Sequence, residues 1–389
     1  MQLTTLLAAV ERGDDLTVSE FLDGHALAPA AALTDDDATT LFWAVLRAGR
    51  DELVSALVGR VDLDRPGPAG LDPVTWAAAH GRAAELQAML PGEPQVSAPG
   101  GGPHRRALRA AQDALDAGAL PPPAHRAVVT DVEAALGIHR PAGELLARAL
   151  VSGDPGHADW FSSSFRLGLR FDRETFVWAR DLARDGESRL HRLFGTDTLG
   201  SLGLPPQISV EDIEAPFADE AADFLRPLLD TESDPYALRS VMRAFGLHCR
   251  PGETRAFLRH ARHPDAGVRR YVGGALPHGP EVLDALVRLA GDPVPDVRVP
   301  ALQRLVWLRA DTPRVRAALA DQLGHPDVAG RIAAASGLAL RGDARGRALL
   351  EELRSDPVHR RILGPGGLGE LHHVLRSAPG GVRGGVPGT

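Results

Sequence analysis

Four stretches of the sequence share one pattern: Asp234-Pro-Tyr-Ala-Leu-Arg239, Pro264-Asp-Ala-Gly-Val-Arg269, Pro293-Val-Pro-Asp-Val-Arg298 and Pro326-Asp-Val-Ala-Gly-Arg331. Each contains a proline/aspartate turn, then an arginine, and each leads into an alanine-rich apolar run. Successive arginines are 30, 29 and 33 residues apart. A repeat of this length has room for two helices, and stacked helix pairs of this kind form an α-solenoid. The four stretches therefore predict an all-α fold.

The composition agrees with stacked helices. The chain has 389 residues, and a stacked array can reach this length without one central core. Hydrophobic residues make up 44% and aromatic residues only 5%, which favours alanine- and leucine-lined helix seams over an all-β core. The single cysteine, Cys249, excludes an internal disulfide and favours a reducing cytoplasm. We find no membrane-length apolar run and no secretory signal in the first ten residues, so a cytoplasmic location is expected.

The charge pattern argues against nucleic acid as a partner. All 43 basic residues are arginines, and the net charge is −8. The acidic excess lies in residues 1–210, and the rest of the chain is close to neutral. Nonspecific nucleic-acid binding depends on basic residues that neutralise phosphates. With the abundance of Ala, Gly and Pro, the absence of lysine indicates the codon usage of a high-GC bacterium.

The first 90 residues contain a second helix–turn–helix pattern. Residues 39–49 and 50–57 form one copy, residues 72–81 and 84–90 form another, and residues 6–13 supply an earlier one. Ala44 and Ala77 mark equivalent positions 33 residues apart. This pattern resembles the ankyrin repeat, with Trp43 and Trp76 where the family usually has histidine. The resemblance implies that the Pro/Gly-rich connector 61–70 is a finger, and Asp35–Asp37 are expected at a helix N-terminus.

A linker or long loop is predicted at residues 91–103, which hold four prolines and four glycines. Residues 104–205 then predict a helical region with degenerate ankyrin-like copies, in which Ala147 and Ala179 are 32 residues apart. Residues 195–207 are rich in glycine and proline, and we expect them to pass the chain from one repeat type to the other.

Residues 210–376 form the array that contains the four arginine stretches. Second helices are expected at residues 252–261, 280–290 and 312–323, and closing helices at 345–354 and 358–376. The array resembles HEAT repeats, in particular the short class named for phycobilisome lyases. This resemblance implies an α-α superhelix in which one helix of each pair lines a concave surface. The tail, residues 377–389, is expected to be disordered.

The recurrent arginine has a structural interpretation. Aspartate before a helix accepts free backbone N–H groups, and proline fits the first helical turn. Arg239, Arg269, Arg298 and Arg331 are expected to form a ladder with neighbouring aspartates, such as Asp265 and Asp327 four residues earlier. Such a ladder would join successive helix pairs and would not be a phosphate clamp.

The most aromatic stretch of the chain has two interpretations. Its rings could form an exposed binding face. They could instead fill the seam between imperfect repeats, which we favour. The residues are His157, Trp160, Phe161, Phe165, Phe171, Phe176 and Trp178.

No catalytic motif is found, and no cofactor, metal site or catalytic residue is predicted. Phosphate-binding, dinucleotide-binding, hydrolase-elbow and zinc-protease sequences are all missing from the printed sequence. His260, His263 and Asp265 straddle a helix end and a turn, which disfavours metal binding. Trp307 and Asp311, with Arg304 nearby, weakly resemble the tryptophan and aspartate of HEAT-like DNA glycosylases.

The residues expected to contact a partner are polar or aromatic side chains that interrupt the alanine-rich helices. They are Arg243, Arg270, Tyr271, Gln303, Arg304 and Trp307. The leading hypothesis is a non-enzymatic scaffold that binds a protein or peptide. The alternatives are an accessory enzyme with a site near residues 157–180 or Trp307, and a glycosylase-type nucleic-acid binder. The oligomeric state stays open.

Overall fold

The computed structural model is helical throughout the residues it describes, with no strand among them. The chain divides into two compact units, Met1–Ala218 and Asp219–Thr389. The described residues are 3–15, 17–19, 21–22, 33–67, 70–90, 102–120, 123–204, 216–250, 252–276, 280–308 and 310–356. Many helix pairs pack together within each unit, so the predicted all-α solenoid class is confirmed. The finer domain limits stay predictions.

Residues 15, 17–19 and 21–22 of the first unit are helical. The structure also gives the bounds of eleven α-helices and one 3₁₀ turn in this unit. They are α1 (Leu3–Glu11), α2 (Asp35–Ala48), α3 (Asp51–Leu57), the 3₁₀ turn (Val58–Arg60), α4 (Pro73–Ala79), α5 (Ala83–Met89), α6 (Gly102–Asp116), α7 (His125–Ala135), α8 (Ala142–Leu150), α9 (Ala158–Gly168), α10 (Arg173–Asp185) and α11 (Arg189–Leu202). Helices α7, α9 and α11 pack side by side in that order.

Local capping explains the first two helix hairpins. Thr34 begins α2 by accepting a hydrogen bond from the Asp37 N–H at 3.1 Å, and Gly49 ends it at a φ of 70°. Asp72 begins α4 by accepting from the Thr75 N–H at 2.9 Å. The predicted helix–turn–helix pattern is therefore confirmed. Asp35–Asp37 form the first turn of α2, as expected, where their negative charges face the helix N-terminus favourably.

The two tryptophans of these hairpins belong to the core. The rings of Trp43 and Trp76 meet edge to face with centroids 6.0 Å apart. The connector comes so close to Trp43 that a Cβ on Gly67 would lie 2.0 Å from the ring. Only glycine fits this approach, so the connector closes over the tryptophan pair.

Helix α11 corrects a prediction. Residues 195–202 were expected in a connection between repeat types, but they form the C-terminal half of α11 and are buried. Gly195 packs against the backbone of α10, where an added Cβ would lie 2.5 Å from the Ala183 nitrogen. The glycine therefore allows close helix packing and does not break the helix. Residues 205–207 lie outside the described residues.

A buried ion-pair cluster joins α7 to α8. Glu133 is 1% exposed, and its two carboxylate oxygens accept hydrogen bonds from Arg140 at 2.5 Å and Arg148 at 2.7 Å. Burial raises the pKa of Glu133, but the hydrogen bonds and the positive charges of the two arginines together outweigh burial and lower the pKa overall. The carboxylate is therefore held in its charged form inside the unit.

A second buried carboxylate begins α7 from another helix. Ala124, the residue before α7, offers no side chain to cap it. Asp159 of α9 supplies the missing acceptor, because its Oδ1 accepts from the Ala127 N–H at 2.7 Å. Asp159 is fully buried, and burial raises its pKa. The cap also ties α9 to α7.

The described part of the second unit contains eight α-helices and one 3₁₀ segment. They are α12 (Ala218–Thr231), α13 (Pro235–His248), the 3₁₀ segment (Glu253–Arg262), α14 (Ala266–Ala275), α15 (Pro280–Leu289), α16 (Pro295–Leu308), α17 (Pro313–Ala320), α18 (Val328–Ala339) and α19 (Ala344–Ser355). We call α13, α14, α16 and α18, which follow the four turns, the arginine helices. They pack side by side in that order.

The aspartates of three turns cap the arginine helices as predicted. Asp234, Asp265 and Asp327 each accept a hydrogen bond from the backbone N–H three residues later, at 2.8, 2.9 and 3.2 Å. In the remaining turn, Asp292 accepts from the Val294 N–H at 3.0 Å. The turns therefore fix where the arginine helices begin.

The arginine ladder forms, but with other partners than predicted. Arg269 was expected to pair with Asp265, four residues earlier in its own turn. Instead, its Nε and Nη2 donate to the carboxylate of Asp292 in the next turn, at 2.8 and 3.1 Å. The Asp265 Oδ1 instead accepts the Val268 N–H that starts α14, and it lies 3.5 Å from the Nη1 of Arg239 in the preceding repeat.

The neighbouring repeats follow the same rule. Arg239 reaches forward to Asp265 at 3.5 Å, and Arg298 donates through Nη2 to the Nδ1 of His325 at 3.2 Å. Asp327 likewise serves as a helix cap, and it forms no ion pair with Arg331, a described residue four positions later. Each of these arginines therefore joins its own repeat to the next.

Several predictions fall on residues outside the described ranges. They concern most of the linker 91–103, the closing helix 358–376 and the tail 377–389. Residues 102 and 103 of the linker begin α6.

Candidate functional site

An open groove crosses the arginine helices of the second unit. Its first part, about 650 Å³, is lined by Arg239, Gly267, Arg270, Tyr271, Gly274, Ala275 and Pro300. Its second part, about 350 Å³, is lined by Arg270, Pro295, Asp296, Val299, Pro300, Gln303, Asp327 and Ala329. Because both parts share Arg270 and Pro300, they form one continuous surface from α13 to α18.

Small residues of α14 make room for the first part of the groove. Arg239 of α13 lies across Gly267, where an added Cβ would lie 1.8 Å from the arginine Nη1. Gly274 lies two turns further along the same face of α14, is exposed, and also lacks a side chain. The groove therefore depends on glycines at positions where the neighbouring repeats have other residues.

Arg270 and Gln303, two of the predicted partner contacts, are exposed in the groove. Neither side chain has a hydrogen bond or ion pair to another described residue. Their polar groups are thus available to a ligand.

Tyr271, also predicted, lines the first part and is half-buried. Its ring meets Phe257 edge to face at 5.9 Å, and its hydroxyl would lie 3.6 Å from a Cβ on Gly246. Burial raises the pKa of Tyr271 to about 12, although the nearby Arg243 acts to lower it. The phenol therefore keeps its proton at neutral pH. Arg243, the predicted contact on α13, lies half-buried beside this tyrosine and does not line the groove.

The last two predicted contacts differ from each other. Arg304 uses Nε and Nη2 to donate to the Leu276 carbonyl, at 2.9 and 2.5 Å, so its guanidinium caps the end of α14. Trp307 is 63% exposed and lies four residues beyond Gln303, which places it on the same face of α16. Trp307 therefore extends the groove face beyond its second part.

Asp296 was missed by the sequence analysis. It is exposed in the groove, and its carboxylate has no hydrogen bond or ion pair to another described residue. Pro300 follows four residues later, inside α16. Proline has no N–H, so the Asp296 carbonyl lacks the usual helical donor at position 300. A proline beyond the first turn of a predicted helix was the signal that could have drawn attention to this place.

The groove changes its charge along its length. Arg239 and Arg270 line the first part, and the described residues that line it include no acidic side chain. Asp296 and Asp327 line the second part, where Arg270 is the shared cation. Charge therefore runs from positive near α13 and α14 to negative near α16 and α18.

The two weaker candidates for chemistry are engaged in structural contacts. Asp311 receives two hydrogen bonds from Arg316, at 2.6 and 2.8 Å, and this arginine holds the pKa of the carboxyl below its usual range. The His263 Nδ1 accepts the Asp265 N–H at 3.1 Å. Among the described residues, no group of three or more metal-ligating side chains comes together.

The aromatic stretch of the first unit divides in two. Trp160 and Phe176 are buried, and the Trp160 Nε1 donates to Asp197 at 2.8 Å. Phe161 is 62% exposed and stacks on Phe165 at 5.3 Å. The seam interpretation holds for the buried rings, and Phe161 is the exception.

Comparisons with known proteins add one structural likeness. No family model matches the chain, and no curated protein matches it. The crystal structure of YibA from Escherichia coli is 20% identical to the chain with a TM-score of 0.46, and the match covers 61% of this chain and 86% of YibA. Within the described ranges, no helix has both the length and the apolar character to cross a membrane.

Proposed function

We propose that this chain is a scaffold protein without catalysis of its own, and that its groove binds a segment of a protein partner. The observation that carries the proposal is the set of groove-face side chains with no polar contact to other described residues: Arg270, Gln303 and Trp307. The proposal includes HEAT-like repeats in the second unit, degenerate ankyrin-like repeats in the first, and a cytoplasmic location in a bacterium.

The residue types support a protein partner. Tryptophan, tyrosine and arginine carry much of the binding energy in protein interfaces, and all three types lie on this face. In the described part of the second unit, the exposed large apolar side chains are Tyr236 and Trp307, both on arginine helices. An exposed indole costs hydration free energy in the unbound protein, which a partner that covers it recovers.

The turn architecture supports the repeat type. Aspartate caps and an arginine that reaches the next turn recur at Arg239, Arg269 and Arg298. Because these contacts are local to each pair of repeats, they keep the arginine helices in one layer. The groove is built on that layer, so the ladder supports the binding face, and Arg239 of the ladder also lines the first part of the groove.

The test is a partner capture followed by a measurement with purified partner. Full-length protein captures partners from the host, mass spectrometry identifies them, and calorimetry measures their affinity. We expect Arg270→Ala combined with Trp307→Ala to weaken binding at least about tenfold, the effect of losing one or two interface anchors. Arg288→Ala, an exposed arginine on α15 away from the groove, is the matched control and should bind normally.

Two results would contradict the proposal. One is that no identified partner binds the protein after purification. The other is that a purified partner binds the double variant and the wild-type protein with the same affinity.

A further inference from the structure

The groove offers two uncommitted charges of opposite sign on neighbouring helices. Arg270 of α14 and Asp296 of α16 both line its second part, and neither pairs with another described residue. Helices packed side by side have axes about 8–10 Å apart. The two charges can therefore act on different residues of one ligand.

The other charged side chains of the groove, Arg239 and Asp327, already contact residues of the protein itself. Arg239 is 3.5 Å from Asp265, and both side chains are about one third exposed, at 33% and 36%. The Asp327 Oδ2 accepts the Gly330 N–H at 3.2 Å. Arg270 and Asp296 thus dominate recognition, while Arg239 and Asp327 reinforce the sign of each end.

The acidic end is also rich in hydrogen-bond acceptors. The Asp296 carboxylate lies one turn before Pro300, which cannot donate to the Asp296 carbonyl. Guanidinium and ammonium groups are donors without acceptors, so they match such a place. At the other end, the guanidinium of Arg270 and the protonated phenol of Tyr271 match a carboxylate.

On the basis of the proposed function, we infer that the groove binds an extended peptide segment with an acidic residue facing Arg270 and a basic residue facing Asp296. An extended chain in the polyproline II conformation rises about 3.1 Å per residue with three residues per turn, so two side chains three positions apart face the same way about 9 Å apart, the spacing of neighbouring helices. Trp307, further along the same face of α16, covers an apolar side chain beyond the basic residue.

Charge complementarity favours this ligand over a nucleic acid. A strand of phosphates would meet Arg270 favourably but would place negative charge against Asp296 and Asp327. Repulsion between like charges suppresses such partners. The groove therefore selects a ligand that carries both signs of charge.

The test starts from a phage library of random dodecapeptides selected against the full-length chain. Enriched sequences are synthesised with a fluorescein label, and their affinities are measured by fluorescence anisotropy. We expect enriched peptides to carry an acidic and a basic residue about three positions apart. Arg270→Glu and Asp296→Arg should each weaken these peptides about tenfold or more, because each reversal places like charges together.

Compensating peptides make the experiment specific. A peptide whose basic residue is replaced by glutamate should recover affinity for Asp296→Arg. A peptide whose acidic residue is replaced by arginine should recover affinity for Arg270→Glu. Arg288→Glu on α15 and Glu351→Arg on α19 reverse exposed charges outside the groove, and they should leave every affinity unchanged.

The outcomes separate this inference from the proposed function. Peptides that bind wild-type protein and both groove variants equally would overturn the inference and leave peptide binding standing. Failure of wild-type protein to enrich any peptide would overturn both. Displacement of the peptides by a single-stranded oligonucleotide at physiological salt would overturn the selectivity for mixed charge.

Discussion

Arg269 holds the carboxylate of Asp292 through two hydrogen bonds, from Nε to Oδ2 at 2.8 Å and from Nη2 to Oδ1 at 3.1 Å. The two residues belong to successive turns, so this ion pair joins two repeats. Both side chains are mostly buried, at 15% and 9% exposure. Two further bonds from Arg269 Nη1, to the carbonyls of His263 and Pro264, fix the arginine in its own turn.

Loss of one partner should destabilise the second unit. We expect Asp292→Ala to lower the free energy of unfolding by about 3 kcal/mol, because it leaves the buried Arg269 without its anion. Asp296→Ala, an exposed aspartate four residues later, is the control and should change it by less than about 0.5 kcal/mol. Urea unfolding followed by circular dichroism measures both. If both variants lowered the free energy of unfolding by the same small amount, the ion pair would not stabilise the contact between the two repeats.

The same pair should make stability depend on pH. Burial raises the pKa of Asp292, but the hydrogen bonds from Arg269 and the Val294 N–H and the charges of Arg269 and Arg298 together lower it by more, and the pKa is lowered overall. A carboxyl with a lowered pKa in the folded state stabilises the fold fully above its unfolded pKa, about 3.9, and loses that contribution as the pH falls through the folded value. The stability gap between wild-type protein and Asp292→Asn should therefore narrow from pH 7 to pH 3. A gap that stays constant would contradict this linkage.

The buried cap at Asp159 should behave in the opposite sense. Burial raises its pKa, so the charged carboxylate is disfavoured in the folded state as the pH rises. Asp159→Asn keeps an oxygen for the Ala127 N–H and removes the charge, so its stability relative to wild type should improve with rising pH. Asp159→Ala removes the acceptor as well as the charge, so it should be less stable than Asp159→Asn by about 1–2 kcal/mol at every pH. Thermal unfolding of the three proteins from pH 4 to pH 8 measures both effects, and a stability of Asp159→Asn that falls relative to wild type as the pH rises would contradict the raised pKa of Asp159.

Gly267→Ala should alter the groove more than the stability. A Cβ there would displace the guanidinium of Arg239, whose ion pair with Asp265 is partly exposed. Such pairs contribute about 0–1 kcal/mol, so the free energy of unfolding should change by less than about 1 kcal/mol. Binding of the acidic part of a selected peptide should weaken. Gly143→Ala in α8, where an added Cβ meets nothing within 4 Å, is the matched control.

Features that depend on neighbouring residues in sequence could be predicted. Helix caps and tight turns involve atoms within a few residues of each other, so the local sequence is enough to predict them. Examples are the caps at Asp72 and Asp265 and the turn at Gly49. Arg270 and Gln303 were found because polar side chains interrupt alanine-rich runs. Their position in one groove depends on how α14 and α16 pack, which a single sequence does not contain.

Features that depend on contacts between repeats or on close packing could not be predicted. Arg269 contacts Asp292 of the next turn, while Asp265 caps α14 and receives Arg239 of the preceding repeat. Gly195 has the local preference of a helix breaker, yet the approach of the α10 backbone requires it inside α11. In the sequence, Asp296 looks like an ordinary acidic residue in the first turn of a helix. Its part in the proposed binding site depends on Arg270, which lines the same part of the groove.

The forward reach of the arginines also determines where this protein can change in length. The segments between each arginine and its partner contain a 3₁₀ segment (Glu253–Arg262) in one repeat and the α-helices Pro280–Leu289 and Pro313–Ala320 in the next two. In all three repeats the arginine still contacts its partner in the next turn. Insertions and deletions in these second helices therefore change the chain away from the groove. The spacing of the arginine helices can stay the same while the second helices change in length.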